Sequence, residues 1–162
     1  MDENMQQLAD LIREFRFAMF ATVDPDGGIY SRPMATQEIE FDGNLWFFSK
    51  RSSGKIRSIE NDQHVNLTYS NHEDNRFISI SGRAEIVLDH RKMEELWSSW
   101  YKLWFPEGLE DPDLILIKVN VESAEYWDSP SNMIVKLAGF AKAILTGNPS
   151  TVGEHRKVSL SH

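Results

Sequence analysis

The sequence predicts an α+β protein whose antiparallel sheet closes into a small barrel with helices inserted around it. Three observations predict this. About six segments carry the alternation or the aromatic and β-branched content of strands. Most are separated by turns short enough for hairpins, which excludes a parallel βαβ arrangement. Helical periodicity opens the chain and then returns only in a few inserted segments.

Met5, Leu8, Leu11, Ile12 and Phe15 recur every three or four residues and mark an amphipathic helix over 4–16. FAMFATVD follows as a buried strand and stops at Pro25–Gly28, where Pro presets φ and Gly supplies positive φ. IYSRPMATQEIEF, residues 29–41, resumes as a strand. Its internal Pro33 donates no ladder hydrogen bond and so places it at an edge or bulge. Asp42-Gly43-Asn44 is a hairpin turn and LWFFSK the returning strand. SSGKIRSIEND reads as a short helix capped by Ser52 or Ser53, with Ile56 and Ile59 on its apolar face. HVNLTYSN and RFISISGRAEIVLD alternate as strands across the turn HEDN. Residues 90–104 form a second helix with Met93, Leu96, Trp97, Trp100 and Trp104 along one side. LILIKVNVESAEYW is a long last strand, and 134–147 a closing helix. Residues 1–147 are expected to make a single domain, and the polar stretch 148–162 a flexible tail.

The 162 residues suit one core, and 41% hydrophobic with 26% charged residues is ordinary for a globular protein. There is no cysteine, so disulfides, thiolate metal sites and cysteine nucleophiles are excluded. The acidic N-terminus is unlike a secretory signal, and no apolar run approaches the ~20 residues that span a bilayer. The expectation is a cytoplasmic protein without membrane or nucleic-acid partners, since a net charge of −8 repels both.

Against that acidity, Lys50, Arg51, Lys55 and Arg57 crowd together with four serines in SKRSSGKIRS. The segment is not a P-loop: Ser49 stands where glycine is required and Ile56 where Ser or Thr is. Two readings remain on the residues alone. It is either a solvated strand-to-helix turn or an anion site at a helix N-terminus, with Lys55 as point charge and Ser49 and Ser53 as donors. The five histidines show no metal-ligand spacing, and no GxSxG elbow is present. Trp97, Trp100 and Trp104 read as core or subunit interface. Trp127, at the end of the last strand, is suited to either core or cleft.

FATVDPDGGIYSRPM, LWFFSKRSSGKIRSIENDQHVNLTY, SISGRAEI and the terminal EYW resemble the pyridoxamine 5′-phosphate oxidase-like family, over about residues 5–140. That family has an FMN-binding split-barrel fold, and the nearest branch is the general stress protein group. The resemblance implies that Ser31, Arg32, Pro33 and Met34 run along the flavin, with Arg32 toward the phosphate or ribityl end. It implies that Phe48 and Ser49 lie beside the ribityl phosphate, that Lys55 is the phosphate lysine with Ser53 nearby, and that Trp127 reaches FMN across a homodimer interface. Gln37 departs from the pattern, because true oxidases hold a lysine there. DSPSNMIVK after Trp127 lacks their Arg-x-His pair. The implied function is therefore an FMN flavoprotein linked to stress response, and not a pyridoxamine 5′-phosphate oxidase. It passes hydride or electrons between FMN and an unidentified small molecule; the alternative is a non-catalytic flavin carrier or sensor.

Overall fold

The computed structural model describes residues 3–37, 41–128 and 154–159. In chain order these form α1 (Glu3–Ile12), β1 (Phe17–Val23), β2 (Ile29–Ala35), β3 (Asn44–Lys50), α2 (Gly54–Asn61), β4 (His64–Asn71), β5 (Arg76–Val87), α3 (His90–Leu96), β6 (Leu114–Asp128) and β7 (Glu154–Ser159). Two 3₁₀ turns, Ser99–Leu103 and Gly108–Glu110, lie between α3 and β6. Every strand pairing is antiparallel, in the order β2-β1-β4-β5-β6-β3. The sheet curls until its two edge strands, β2 and β3, face each other across a cavity without pairing. This is the split barrel. Pro33 sits on edge strand β2, where a missing donor costs no ladder bond.

Alternation along the strands sorts two cores. Leu45 and Phe47 of β3, with Ile115, Ile117, Val119 and Val121 of β6, point into the curl and join Phe20, Leu67, Tyr69 and Ile80. Phe48, Leu114 and Leu116 point the other way and pack under Met93, Leu96 and Tyr101. The start of β6 is thus covered on both faces, which is why LILIKV reads as an unbroken apolar run. Helix α1 closes one mouth of the curl with Leu8, Ala9 and Ile12, and Gln7 Nε2 donates to the Tyr126 hydroxyl at 2.8 Å.

Between β5 and β6 the register shifts at Ser81/Gly82, so that Gly82 lies opposite Val121 while Ser81 lies opposite Ser123. A Cβ on Gly82 would stand 2.3 Å from the Asn120 carbonyl oxygen, a backbone atom that only a shift of the strand can move. Gly82→Ala should therefore destabilise the protein by about 1–3 kcal/mol, read as a lower denaturation midpoint at unchanged m-value. An unchanged midpoint would contradict this.

Three boundaries differ from the sequence expectation. The helix predicted over 90–104 ends at Leu96; Trp97 is extended (φ −69°, ψ 133°), and a separate 3₁₀ turn begins at Ser99 after its N-cap Ser98. Ser-Ser and the aromatic residues hold a helix weakly, and tertiary packing of the tryptophan side chains decides the break. The first helix stops at Ile12, four residues early, and β2 ends at Ala35 rather than 41. The sequence reading assigned no element to 154–159, where β7 pairs with the far half of β6. The closing helix expected over 134–147 lies outside the described residues. No helix among the described residues is long and apolar enough to cross a membrane.

Candidate cofactor site

The four cations between Lys50 and Arg57 go to different places. Lys50, at the end of β3, lies 3.3 Å from the buried Asp111 carboxylate. That carboxylate also accepts the Asp113 N–H at 2.9 Å, and this bond first, then Lys50, holds it below the usual carboxylate range. Arg51 and Arg57 are solvent-exposed. Lys50 and Lys55 both line one cavity, but among the described residues only Lys55 of the two does so without a carboxylate partner. Its Nζ donates to Ser53 Oγ at 2.8 Å and Ser49 Oγ at 3.0 Å, and among the described residues no carboxylate pairs with it. Burial, and then the charge of Arg32, lower its pKa to about 8.

Local structure explains this arrangement. Ser49 is the buried penultimate residue of β3. Ser53 is the N-cap of α2, yet its side chain makes no cap hydrogen bond and accepts from Lys55 instead. Ser52 Oγ and N–H are held by the Asp113 carboxylate, and Arg51 N–H by the Asp113 carbonyl at 2.8 Å, which pin the turn. The first N–H groups of α2 add partial positive charge at the same point.

The cavity beside Lys55 has a volume of about 380 Å³. One wall is Phe48, Ser49 and Ser53; the opposite wall is Pro33, Met34 and Ala35 of the unpaired β2 edge. Phe17, Tyr101, Trp104 and Phe105 form an aromatic flank, and Gln37 lines the cavity as well. Phe17 meets Trp104 edge-on with centroids 5.8 Å apart. Among the described lining residues there is no Asp, Glu or His. The cavity combines a cationic, hydroxyl-lined end with apolar walls, and it suits a ligand with an anion at one end and a flat apolar body at the other.

Six of the nine residues anticipated from sequence line this cavity: Pro33, Met34, Phe48, Ser49, Ser53 and Lys55. Arg32 stands behind the wall, where Nη1 donates to Thr22 Oγ1 at 2.8 Å and to the Phe20 carbonyl at 3.3 Å. Burial lowers its pKa and Asp24 opposes that shift, while its own charge is felt at Lys55. Ser31 is exposed on β2 and is not among the lining residues. Trp127 is 39% exposed and sits at the far end of β6 from Leu114, which pairs with Lys50. At about 3.3 Å per residue that strand separates it from Lys55 by tens of ångströms. Phe17, Tyr101 and Phe105 were missed. Reading 90–104 as one continuous helix hid the turn that swings Tyr101 and Trp104 onto the cavity.

The profile of the pyridoxamine 5′-phosphate oxidase-like family matches residues 3–150. The chain belongs to that family. Within the wider set of its relatives, the protein bli-3 of Neurospora crassa is 31% identical over 169 residues, covering 98% of this chain and 81% of that one. The crystal structure of general stress protein 26 from Bacillus anthracis superposes with a TM-score of 0.68 at 27% identity, over 77% of this chain and 94% of that one. The general stress FMN/FAD binding protein of Xanthomonas citri superposes with a TM-score of 0.65 at 27% identity, over 79% and 90%. The family's fold is the one described above, the FMN-binding split barrel.

Proposed function

We propose that the protein binds FMN, with the phosphate at Lys55, Ser49, Ser53 and the start of α2, and works as an FMN-dependent oxidoreductase on a small molecule. The observation that carries this reading is Lys55: a desolvated ammonium that faces a cavity with hydroxyl partners and no carboxylate. Burying a cation without a countercharge is costly, and a phosphate brings that countercharge with it. The name of the Xanthomonas relative, a general stress FMN/FAD binding protein, supports both flavin and a stress-linked role.

Bound FMN supplies one- and two-electron chemistry at its ring. The chain's own part is to hold the phosphate, clamp the ring between the β2 edge and the Tyr101–Phe105 turn, and keep water away with apolar walls. A homodimer completes the site in this reading. Phe17, Met19 and Trp104 are each more than two-fifths exposed, an apolar surface suited to a second copy, and Trp127 then reaches the cavity from the partner.

The purified protein is expected to show flavin absorbance bands, or to bind added FMN, and to sediment at about twice the 18.7 kDa of one chain. A colourless protein indifferent to FMN overturns the cofactor reading, and a monomeric mass overturns the dimer. Oxidation of NADH or NADPH by the flavin-loaded protein separates an enzyme from a carrier, for which no turnover is expected.

A further inference from the structure

Gln37 follows β2 by two residues and is 7% exposed. Among the described residues neither its Oε1 nor its Nε2 has a hydrogen-bond partner. The neighbouring Thr36 is fully engaged, its Oγ1 donating to the Tyr69 hydroxyl at 3.1 Å and its N–H to the Arg16 carbonyl at 2.9 Å. The orphaned amide is thus particular to one side chain. Gln37 lines the 380 Å³ cavity that holds Lys55 and also a second cavity of about 480 Å³ against α1, so it stands at the partition between the two.

A carboxamide offers an acceptor and a donor side by side in one plane. A ligand carboxylate would satisfy Nε2 and set a negative oxygen against Oε1. A cation would satisfy Oε1 and leave Nε2 unmet. A single hydroxyl meets one atom at a time. A carbonyl adjacent to an N–H meets both with parallel hydrogen bonds. We infer that Gln37, whose amide atoms are closed to solvent in the unliganded chain, turns into this cavity to recognise an amide or imide edge on a ligand seated there. The inference rests on the cavity being the FMN site. Two sources carry this chemistry there: the imide edge of the flavin ring itself, or the amide of a second, uncharged ligand such as a carboxamide-bearing redox partner. A neutral reader at this position also explains why a lysine, suited to an anionic substrate, is absent from it.

The experiment compares wild type with Gln37→Leu and Gln37→Glu, titrating FMN and riboflavin by fluorescence and then nicotinamide, as the amide probe, into the flavin-loaded proteins. If the ring edge is the partner, Gln37→Leu weakens FMN and riboflavin by the same factor of about ten or more. If a second ligand is the partner, flavin affinity stays within about twofold and nicotinamide affinity falls by about tenfold. Unliganded Gln37→Leu should melt higher than wild type, because two unmet polar atoms are removed, so loss of binding cannot be blamed on unfolding. Changes within about twofold for all three ligands in both variants overturn the inference. If wild type binds no flavin, the FMN reading fails instead, and nicotinamide binding to the flavin-free proteins decides the role of Gln37.

Discussion

Lys55→Ala is expected to raise the dissociation constant for FMN by about ten- to hundredfold and to leave riboflavin affinity nearly unchanged. A charge-assisted hydrogen bond is worth about 1.5–3 kcal/mol, and riboflavin lacks the phosphate that receives it. The pH dependence gives a second signature. Free Lys55 has a pKa of about 8, lowered from 10.5 by burial and then by Arg32. A bound phosphate dianion favours the ammonium and raises that value, so FMN binding takes up a proton above about pH 8. Affinity is therefore tightest between about pH 6, where the phosphate gains its second charge, and about pH 8, and falls as pH rises further. Lys55→Ala abolishes the alkaline fall.

The unliganded protein moves the other way. The unfolded chain holds its Lys55 proton up to 10.5 while the folded one releases it near 8, so between those values stability rises with pH. Below about pH 8 the full desolvation cost is present, and Lys55→Met melts above wild type there. A mutant that lost FMN affinity and stability together would show Lys55 to be a structural cation instead. Calorimetry with and without FMN, at two pH values, distinguishes the cases.

The second large effect is expected at Phe48. The residue is 4% exposed and makes ring contacts with Trp97, Tyr101 and Phe105 at centroid distances of 5.3, 5.4 and 6.3 Å. It also lines the cavity beside Lys55. Phe48→Ala should destabilise the protein by about 3–5 kcal/mol, since it removes the ring from the centre of the smaller core and leaves a void there. Tyr101 and Phe105 rest on that ring, so the aromatic flank loosens and FMN affinity falls with stability. Phe48→Leu keeps most of the volume and should recover most of both. Chemical denaturation and FMN titration of the two variants test this. Alanine costing less than about 1 kcal/mol would mean that the turn stands without the ring.

Phe48 also illustrates how far the sequence could be read. Its place on a strand was legible from LWFFSK, and alternation put Phe47 and Phe48 on opposite faces. What covers each face was not legible, because it depends on contacts between residues far apart in the chain. The same holds for SKRSSGKIRS. Residue types alone left both a solvated turn and an anion site open, with the solvated turn ahead, for all four cations carry the same charge. Tertiary structure separates them: Asp111 claims Lys50, solvent takes Arg51 and Arg57, and burial turns Lys55 toward the cavity.

Local signals therefore determined the elements: period-two runs, Pro-Asp-Gly-Gly and Asp-Gly turns, and the edge position implied by Pro33. Two of the expected hairpins form, β1–β2 and β4–β5, but the one expected at Asp42-Gly43-Asn44 does not, because β3 leaves β2 and pairs with the distant β6. Only the tertiary structure decided where α3 ends, since packing of Trp97, Trp100 and Trp104 outweighs the helical spacing of the same residues. It alone decided that Ser53 gives up its cap bond for Lys55, and that Gln37 is buried with both polar atoms unmet among the described residues. Each of these is a competition between a local preference and a distant neighbour, and the neighbour is visible only once the sheet has curled.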